Sequence, residues 1–309
     1  MDVLQLIPLI AAGDEELHRN YKVSRWYDLP DRERWLDQHG GSVRAVVTAG
    51  HLGIDNEMLR RLPSLGLVAI AGVGYEKVDL ETARERGIRV TNTPDVLTED
   101  VADLAIGLTI ATMRRIAAAD RYVRVGNWIS GDMELATKVS GRRYGIVGFG
   151  RIGQAVARRL EGFGGSIAYT SRTKKQSPYA YHSTVLDLAH ASDVLIVTVA
   201  AGAETKNLVG RAVLDALGPA GFLINVARGS IIDETELIAA LQDRRLAAAG
   251  LDVFADEPRV PEALAALPNV TLTPHIGSAT VDARLAMARL MLENLGAFYA
   301  GRTLPTPVV

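Results

Sequence analysis

The sequence predicts an α/β protein of two domains, each built on a doubly wound parallel sheet. Length is the first reason: 309 residues are too many for one ordinary core and comfortable as two. Rhythm is the second. Short apolar runs alternate with helical patterns almost from end to end, which is how βαβ units are written. The third is a passage from Gly145 to Gly153 in which an apolar strand runs directly into G-x-G-x-x-G and then a helical pattern.

In chain order, strands are expected at Val3–Ile10, Val43–Thr48, Leu67–Ala71 and Ile88–Thr91. Helices fit over Ile54–Leu62 and over Val78–Arg86, the second with Asp79 as its N-cap. From Thr98 to Ala118 an apolar-rich segment predicts one long bridging helix, with Thr98 as cap and Glu99 and Asp100 at the positive end of its dipole. Six regular strands follow: Arg143–Gly148, Ser166–Thr170, Val194–Val199, Phe222–Val226, Gly250–Val253 and Val270–Thr273. Helices Ile152–Gly162 and Glu234–Asp243 sit among them, and six strands complete a dinucleotide-binding sheet. The helical pattern from Val281 to Tyr299 is expected to return to the first unit. The expected division is a discontinuous, flavodoxin-like domain, 1–98 plus 281–309, and a dinucleotide-binding domain, 99–280. These two Rossmann-like domains would flank a cleft, with hinges near Thr98 and Ser278.

Composition narrows function by exclusion. Hydrophobic residues at 48% and charged residues at 23% are the balance of a globular chain. A net charge of -2 supplies no basic excess for nucleic-acid phosphates. Without cysteine there is no disulfide, thiolate metal site, Fe–S cluster or cysteine nucleophile, and no metal is expected. The run from Asp2 to Ile10 lacks the positive lead of a signal peptide and carries Gln5 and Pro8. Nothing approaches the roughly 20 apolar residues of a membrane span. A cytoplasmic protein is expected.

The glycine turn carries the first chemistry. Gly148 permits a tight turn, Gly150 lets the backbone approach a pyrophosphate, and Gly153 lets helix and strand pack closely. The anion would rest on the N–H groups of a helix opened by Arg151 and Ile152. About 20 residues on, a site for NAD should carry an acid for the ribose 2′-OH. This chain instead reads Ser171-Arg172-Thr173-Lys174-Lys175. A carboxylate would repel a 2′-phosphate and Arg172 would attract one, so NADPH is expected over NADH.

Polar residues recur at later strand ends, where open α/β sheets bind ligands. Asn225-Val226-Ala227-Arg228-Gly229 puts an arginine straight after a strand. Asp252 stands in a strand with Glu257 in the loop beyond, and Thr273-Pro274-His275 ends another strand on a histidine. Singly, each has a bland reading as a surface cation or a locally satisfied side chain. Together they meet the needs of carbonyl reduction: a cation to orient substrate, a proton donor, and a carboxylate to align that donor.

Those segments, Val147–Gly153, Asn225–Glu234, Gly250–Pro258 and Pro274–Gly277, resemble the signature blocks of the D-2-hydroxyacid dehydrogenase family. Thr91–Thr98 and the closing Thr306-Pro307-Val308-Val309 resemble it too, so the likeness spans the chain. Within the family it is greatest to NADPH-preferring reductases of glyoxylate, hydroxypyruvate and hydroxyphenylpyruvate. The resemblance implies that Arg228 binds the substrate carboxylate and carbonyl oxygen, that His275 protonates that oxygen, and that Glu257 keeps His275 charged. It gives Asp252 to the nicotinamide carboxamide and adds Thr98, Ala227 and Gly277 to the cofactor contacts. Val73 and Gly74 would offer amides to the substrate, with Ala49 and Gly50 lining a roomy pocket. D-stereochemistry and a homodimer follow from the resemblance alone, as does a reach of Trp128 toward a partner's site, for which interface core is the equal alternative. One block departs: Ala200-Ala201-Gly202-Ala203 stands where many relatives have Pro-Leu-Thr-Pro, leaving cofactor contacts there to the backbone. A catalytically silent NAD(P)-sensing module is the competing reading, since fold alone does not separate the two.

Overall fold

A computed structural model describes residues 2–309 and divides the chain into two compact units. One comprises residues up to Leu97 together with Ala279–Val309, and the other is Thr98–Ser278.

The first unit holds β1 (Asp2–Gln5), α1 (Ala11–Asn20), β2 (Lys22–Arg25), α2 (Arg32–His39), β3 (Val43–Thr48), α3 (Asn56–Arg61), β4 (Leu67–Ile70), α4 (Leu80–Glu85) and β5 (Arg89–Thr91). Its sheet is parallel with order β2-β1-β3-β4-β5, the flavodoxin-like winding. Helices cover both faces, so side chains that alternate along each strand are buried on either side. Leu4, Val46 and Val68 join one core, while Val3, Ala45, Val47, Leu67 and Ala69 join another. The C-terminal helix, Val281–Tyr299, supplies Met291, Leu292 and Leu295 to the second of these. Asp79 caps α4, accepting from the Glu81 and Thr82 amides.

The second unit opens with α5 (Thr98–Met113) and α6 (Ile116–Arg124), followed by β6 (Arg143–Val147), α7 (Arg151–Leu160), β7 (Ser166–Thr170) and β8 (Ala180–Tyr181). It continues with α8 (Val185–His190), β9 (Val194–Val197), α9 (Arg211–Leu217), β10 (Phe222–Asn225), α10 (Glu234–Gln242), β11 (Ala248–Leu251), α11 (Glu262–Ala265) and β12 (Val270–Leu272). The C-terminal helix is then α12. Seven parallel strands run β12-β11-β10-β9-β6-β7-β8, which is the dinucleotide-binding winding extended by one strand. Winding reverses between β6 and β9, so the glycine turn after β6 lies at the switch point where such sheets bind ligands. Helix α5 lies close on β11: a Cβ at Gly250 would come within 2.5 Å of Thr112 Oγ1.

One helix was expected from Thr98 to Ala118, and two are found. Arg115 adopts a left-handed conformation at φ +54 and ends α5. Its guanidinium pairs with Glu134 at 2.7 Å, and the Thr137 amide donates to Met113 O at 3.0 Å. Those contacts come from a distant stretch of chain and leave no glycine or proline at the break. Thr98 is the first helical residue of α5 rather than a cap preceding it. Among the described residues no helix is long and apolar enough to cross a membrane.

Candidate active site

The glycine turn shows three different reasons for glycine. Gly148 stands at φ +93, and a Cβ there would lie 2.5 Å from Val199 Cα; conformation and crowding both exclude a side chain. At Gly153 a Cβ would lie 2.2 Å from Gly148 O, which is how closely α7 approaches the turn. Thr198 Oγ1 donates to that same oxygen at 2.7 Å. Gly150, the N-cap of α7, would meet nothing within 4 Å. The protein's own packing does not demand glycine there. The open space lies at a helix start, where Arg151, Ile152 and Gly153 begin α7 and the positive end of the helix dipole favours an anion. A dinucleotide pyrophosphate fits this cradle in room and in charge.

Beyond β7, Ser171 Oγ donates to Thr173 O at 2.7 Å. Arg172 and Thr173 are exposed, and Arg172 has no acidic partner among the described residues.

The later strand ends converge within this unit. Asn225, fully buried at the end of β10, accepts from the Ala227 amide at 3.0 Å and donates to Arg228 O at 2.9 Å. Arg228 therefore rides on a stapled turn, and its Nη1 donates to Ala227 O at 2.7 Å. A Cβ on Gly229 would collide with Phe254 C at 1.9 Å, so the Arg228 turn and the 254–257 loop touch.

Asp252 follows β11 and is 1% exposed. Its Oδ1 accepts from Thr273 Oγ1 at 2.7 Å and from the Ile276 amide at 2.8 Å, and its Oδ2 from the Gly277 amide at 2.9 Å. Burial pushes the Asp252 carboxyl above its ordinary value, with these hydrogen bonds opposing the shift. Its main-chain oxygen accepts from the His275 amide at 2.8 Å. His275 sits at φ +52, a left-handed conformation that a non-glycine residue keeps only when its surroundings enforce it. Asp252 grips the chain at His275 and just beyond it. The side chain that the resemblance gives to the cofactor thus shapes the loop of the histidine.

His275 Nδ1 lies 2.6 Å from Glu257 Oε2, and Glu257 Oε1 accepts from the Phe254 amide at 3.0 Å. Burial pushes the Glu257 carboxyl up, but the His275 hydrogen bond, the Phe254 amide and the charges of His275 and Arg228 outweigh it and hold it below the ordinary value. The carboxylate on Nδ1 holds the plane of the ring and leaves Nε2 as its other polar atom.

In the first unit, Ala49 and Gly50 follow β3 while Val73 and Gly74 follow β4. A Cβ on Gly50 would lie 2.4 Å from Gly74 O, so the two loops touch. Asn92 Nδ2 donates to Val73 O at 2.8 Å, and Thr93 Oγ1 accepts from the Gly72 amide at 2.9 Å. The amides of Val73 and Gly74 find no acceptor among the described residues. Asn92, Thr93 and Asn225 are positioning residues that sequence reasoning passed over; polar side chains at the ends of apolar strands were the available signal.

A model of the D-isomer specific 2-hydroxyacid dehydrogenase NAD-binding domain matches residues 106–277. A glyoxylate/hydroxypyruvate reductase A of Arabidopsis thaliana is 49% identical over 99% of this chain and 98% of its own length. Hydroxyphenylpyruvate reductase of Plectranthus scutellarioides is also 49% identical, with the same coverage. Among solved structures, the NADPH-dependent glyoxylate/hydroxypyruvate reductase of Sinorhizobium meliloti, in complex with NADP and malonate, superposes with a TM-score of 0.91. It is 42% identical, covering 100% of this chain and 96% of its own. The glycine cradle, the polar strand ends and these full-length likenesses lead to one conclusion: the chain belongs to the D-isomer-specific 2-hydroxyacid dehydrogenase family of NAD(P)-binding oxidoreductases.

Proposed function

We propose that the protein uses NADPH to reduce small 2-oxo acids, glyoxylate and hydroxypyruvate first and aryl pyruvates with them, to D-2-hydroxy acids. The observation that carries this reading is the 2.6 Å pair of His275 and Glu257 beside Arg228, in the unit that holds the glycine turn. A bound nicotinamide supplies the hydride. Gly148, Gly150, Arg151, Ile152, Gly153, Thr98, Ala227, Asp252 and Gly277 are the residues proposed to hold the cofactor.

Arg228 orients the substrate through its carboxylate, a task suited to a planar fork of donors. The amides of Val73 and Gly74, with Ala49 and Gly50 packed beside them, are proposed as substrate-binding residues of the first unit. His275 gives the Nε2 proton to the carbonyl oxygen as negative charge develops there. Glu257, held ionised, stabilises the charged ring before transfer and fixes its plane. The free guanidinium of Arg172, with Ser171 and Thr173, favours a 2′-phosphate, and this is the ground for NADPH over NADH.

A silent sensor would have no need of an assembled Arg228, Glu257 and His275. A homodimer belongs to the same proposal. Ile116, Val123, Val125, Trp128, Ile129 and Leu135 expose apolar surface, Ile129 at 93% and Leu135 at 98%, and a second copy would cover it. A cytoplasmic location completes the proposal. NADPH absorbance followed with a panel of 2-oxo acids, then repeated with NADH, tests the reading. Oxidation with glyoxylate or hydroxypyruvate, faster with NADPH, is expected. No oxidation with any acid would overturn it.

A further inference from the structure

We propose that the Tyr169 hydroxyl sets the preference for NADPH by clamping the loop that carries Ser171, Arg172 and Thr173. The inference rests on the NADPH reading above and names a positioning residue for it.

Tyr169, near the end of β7, is fully buried. A buried phenol needs a polar partner, and this one takes both main-chain groups of a single residue. Its oxygen accepts from the Lys175 amide at 2.9 Å and donates to Lys175 O at 3.0 Å. The clamp closes residues 171–174 into a short loop whose far end is tied to the strand it left. Tyr181 secures the near end, its hydroxyl donating to Ser171 O at 3.3 Å. Arg172, Lys174 and Lys175 are all exposed, and three neighbouring cations on an untied loop would repel one another and spread. Ordering such a loop costs roughly 1 kcal/mol or more per residue. A loop already ordered binds its anion without that loss.

The ring has a second partner. Phe149, inside the glycine turn, stacks on Tyr169 with centroids 4.0 Å apart and planes at 22°. Tyr179 meets Phe149 edge-on at 5.9 Å, and Tyr181 meets Tyr169 at 5.5 Å. One aromatic cluster thus joins the pyrophosphate cradle to the loop facing the 2′-phosphate. Both phosphates hang from one ribose in the cofactor, which confines their separation, and Tyr169 holds the matching parts of the protein together.

The test measures binding of adenosine 2′,5′-bisphosphate and of AMP, which differ only in the 2′-phosphate, by calorimetry. Wild type should bind the bisphosphate more tightly, and Arg172→Ala should lose that preference. Tyr169→Phe should weaken bisphosphate binding about tenfold and AMP binding less than twofold. Tyr144→Phe removes another buried hydroxyl of this domain, one that donates to Val139 O at 2.7 Å. It should leave the ratio unchanged. A wild-type ratio in Tyr169→Phe alongside a lost ratio in Arg172→Ala overturns the clamp but keeps the NADPH reading. Equal losses for both ligands in Tyr169→Phe also overturn it, because a merely structural tyrosine would give that result. Equal binding of both ligands by wild type fails the NADPH reading and the clamp with it. Should Tyr169→Phe not fold, Lys175→Pro deletes the N–H from the other side and Lys175→Ala controls for the lost cation. A reduced ratio in the proline variant alone supports the clamp, and equal ratios overturn it.

Discussion

Replacing Asp252 by asparagine changes one atom and should disable the loop that presents His275. In one orientation the new amide group stands where Oδ2 was and points N–H groups at the Gly277 amide. In the other it stands where Oδ1 was and faces the Ile276 amide. The Thr273 hydroxyl can reverse its role, but a main-chain N–H cannot. Either way one charge-assisted hydrogen bond, worth about 1.5–3 kcal/mol, is lost and one buried donor is left unpaired. Removing a charge that burial disfavours offsets part of this, so a net loss of about 1–3 kcal/mol is expected. For a unit of this size that corresponds to about 2–4 °C in Tm per kcal/mol. The left-handed turn at His275 loses its restraint, and a displaced proton donor should lower kcat by about 10- to 100-fold. Calorimetry and steady-state kinetics on the same preparation read both effects. Weaker NADPH binding with kcat and Tm unchanged would refute the reasoning, since Asp252 would then act on the cofactor and not on the loop.

Other changes probe neighbouring parts. Gly153→Val puts a branched side chain where even a Cβ meets Gly148 O at 2.2 Å; NADPH binding should weaken by at least about tenfold, measured by fluorescence titration. Arg228→Lys keeps the charge but loses the fork, so KM for the 2-oxo acid should rise by about tenfold or more while NADPH affinity stays within twofold. Glu257→Gln should alter the acid limb of stability. The Glu257 carboxyl is held below its ordinary value of 4.5, so its ionisation stabilises the fold above that value and the contribution is lost as pH falls through the lower folded value. Thermal scans below about pH 4.5 should therefore show a shallower fall for the variant than for wild type.

Much of this architecture is legible in the residues because strands buried on both faces read as continuous apolar runs. Val43–Thr48 and Ser166–Thr170 appear with the expected bounds. The missed strands are those that lack that pressure. β2 is a half-exposed edge beginning on Lys22, and β8 has two residues. β1 ends at Gln5, short of the expected Ile10, because Pro8 cannot continue a ladder. The break at Arg115 carries no glycine or proline, and its contact with Glu134 joins residues that no local pattern connects. At the site, Arg228, Glu257 and His275 stood out because charged side chains at strand ends are poorly explained by packing. Asn225 and the shaping work of Asp252 did not, since their partners are main-chain groups that only the folded loops bring close.

The proposed reduction depends on His275 as its proton donor. Its most direct test is the turnover of His275→Gln with NADPH and glyoxylate, with NADPH affinity measured on the same protein. The expected result is a loss of about 10²- to 10⁴-fold in kcat with the NADPH Kd within twofold of wild type. Turnover within a few-fold of wild type would contradict it.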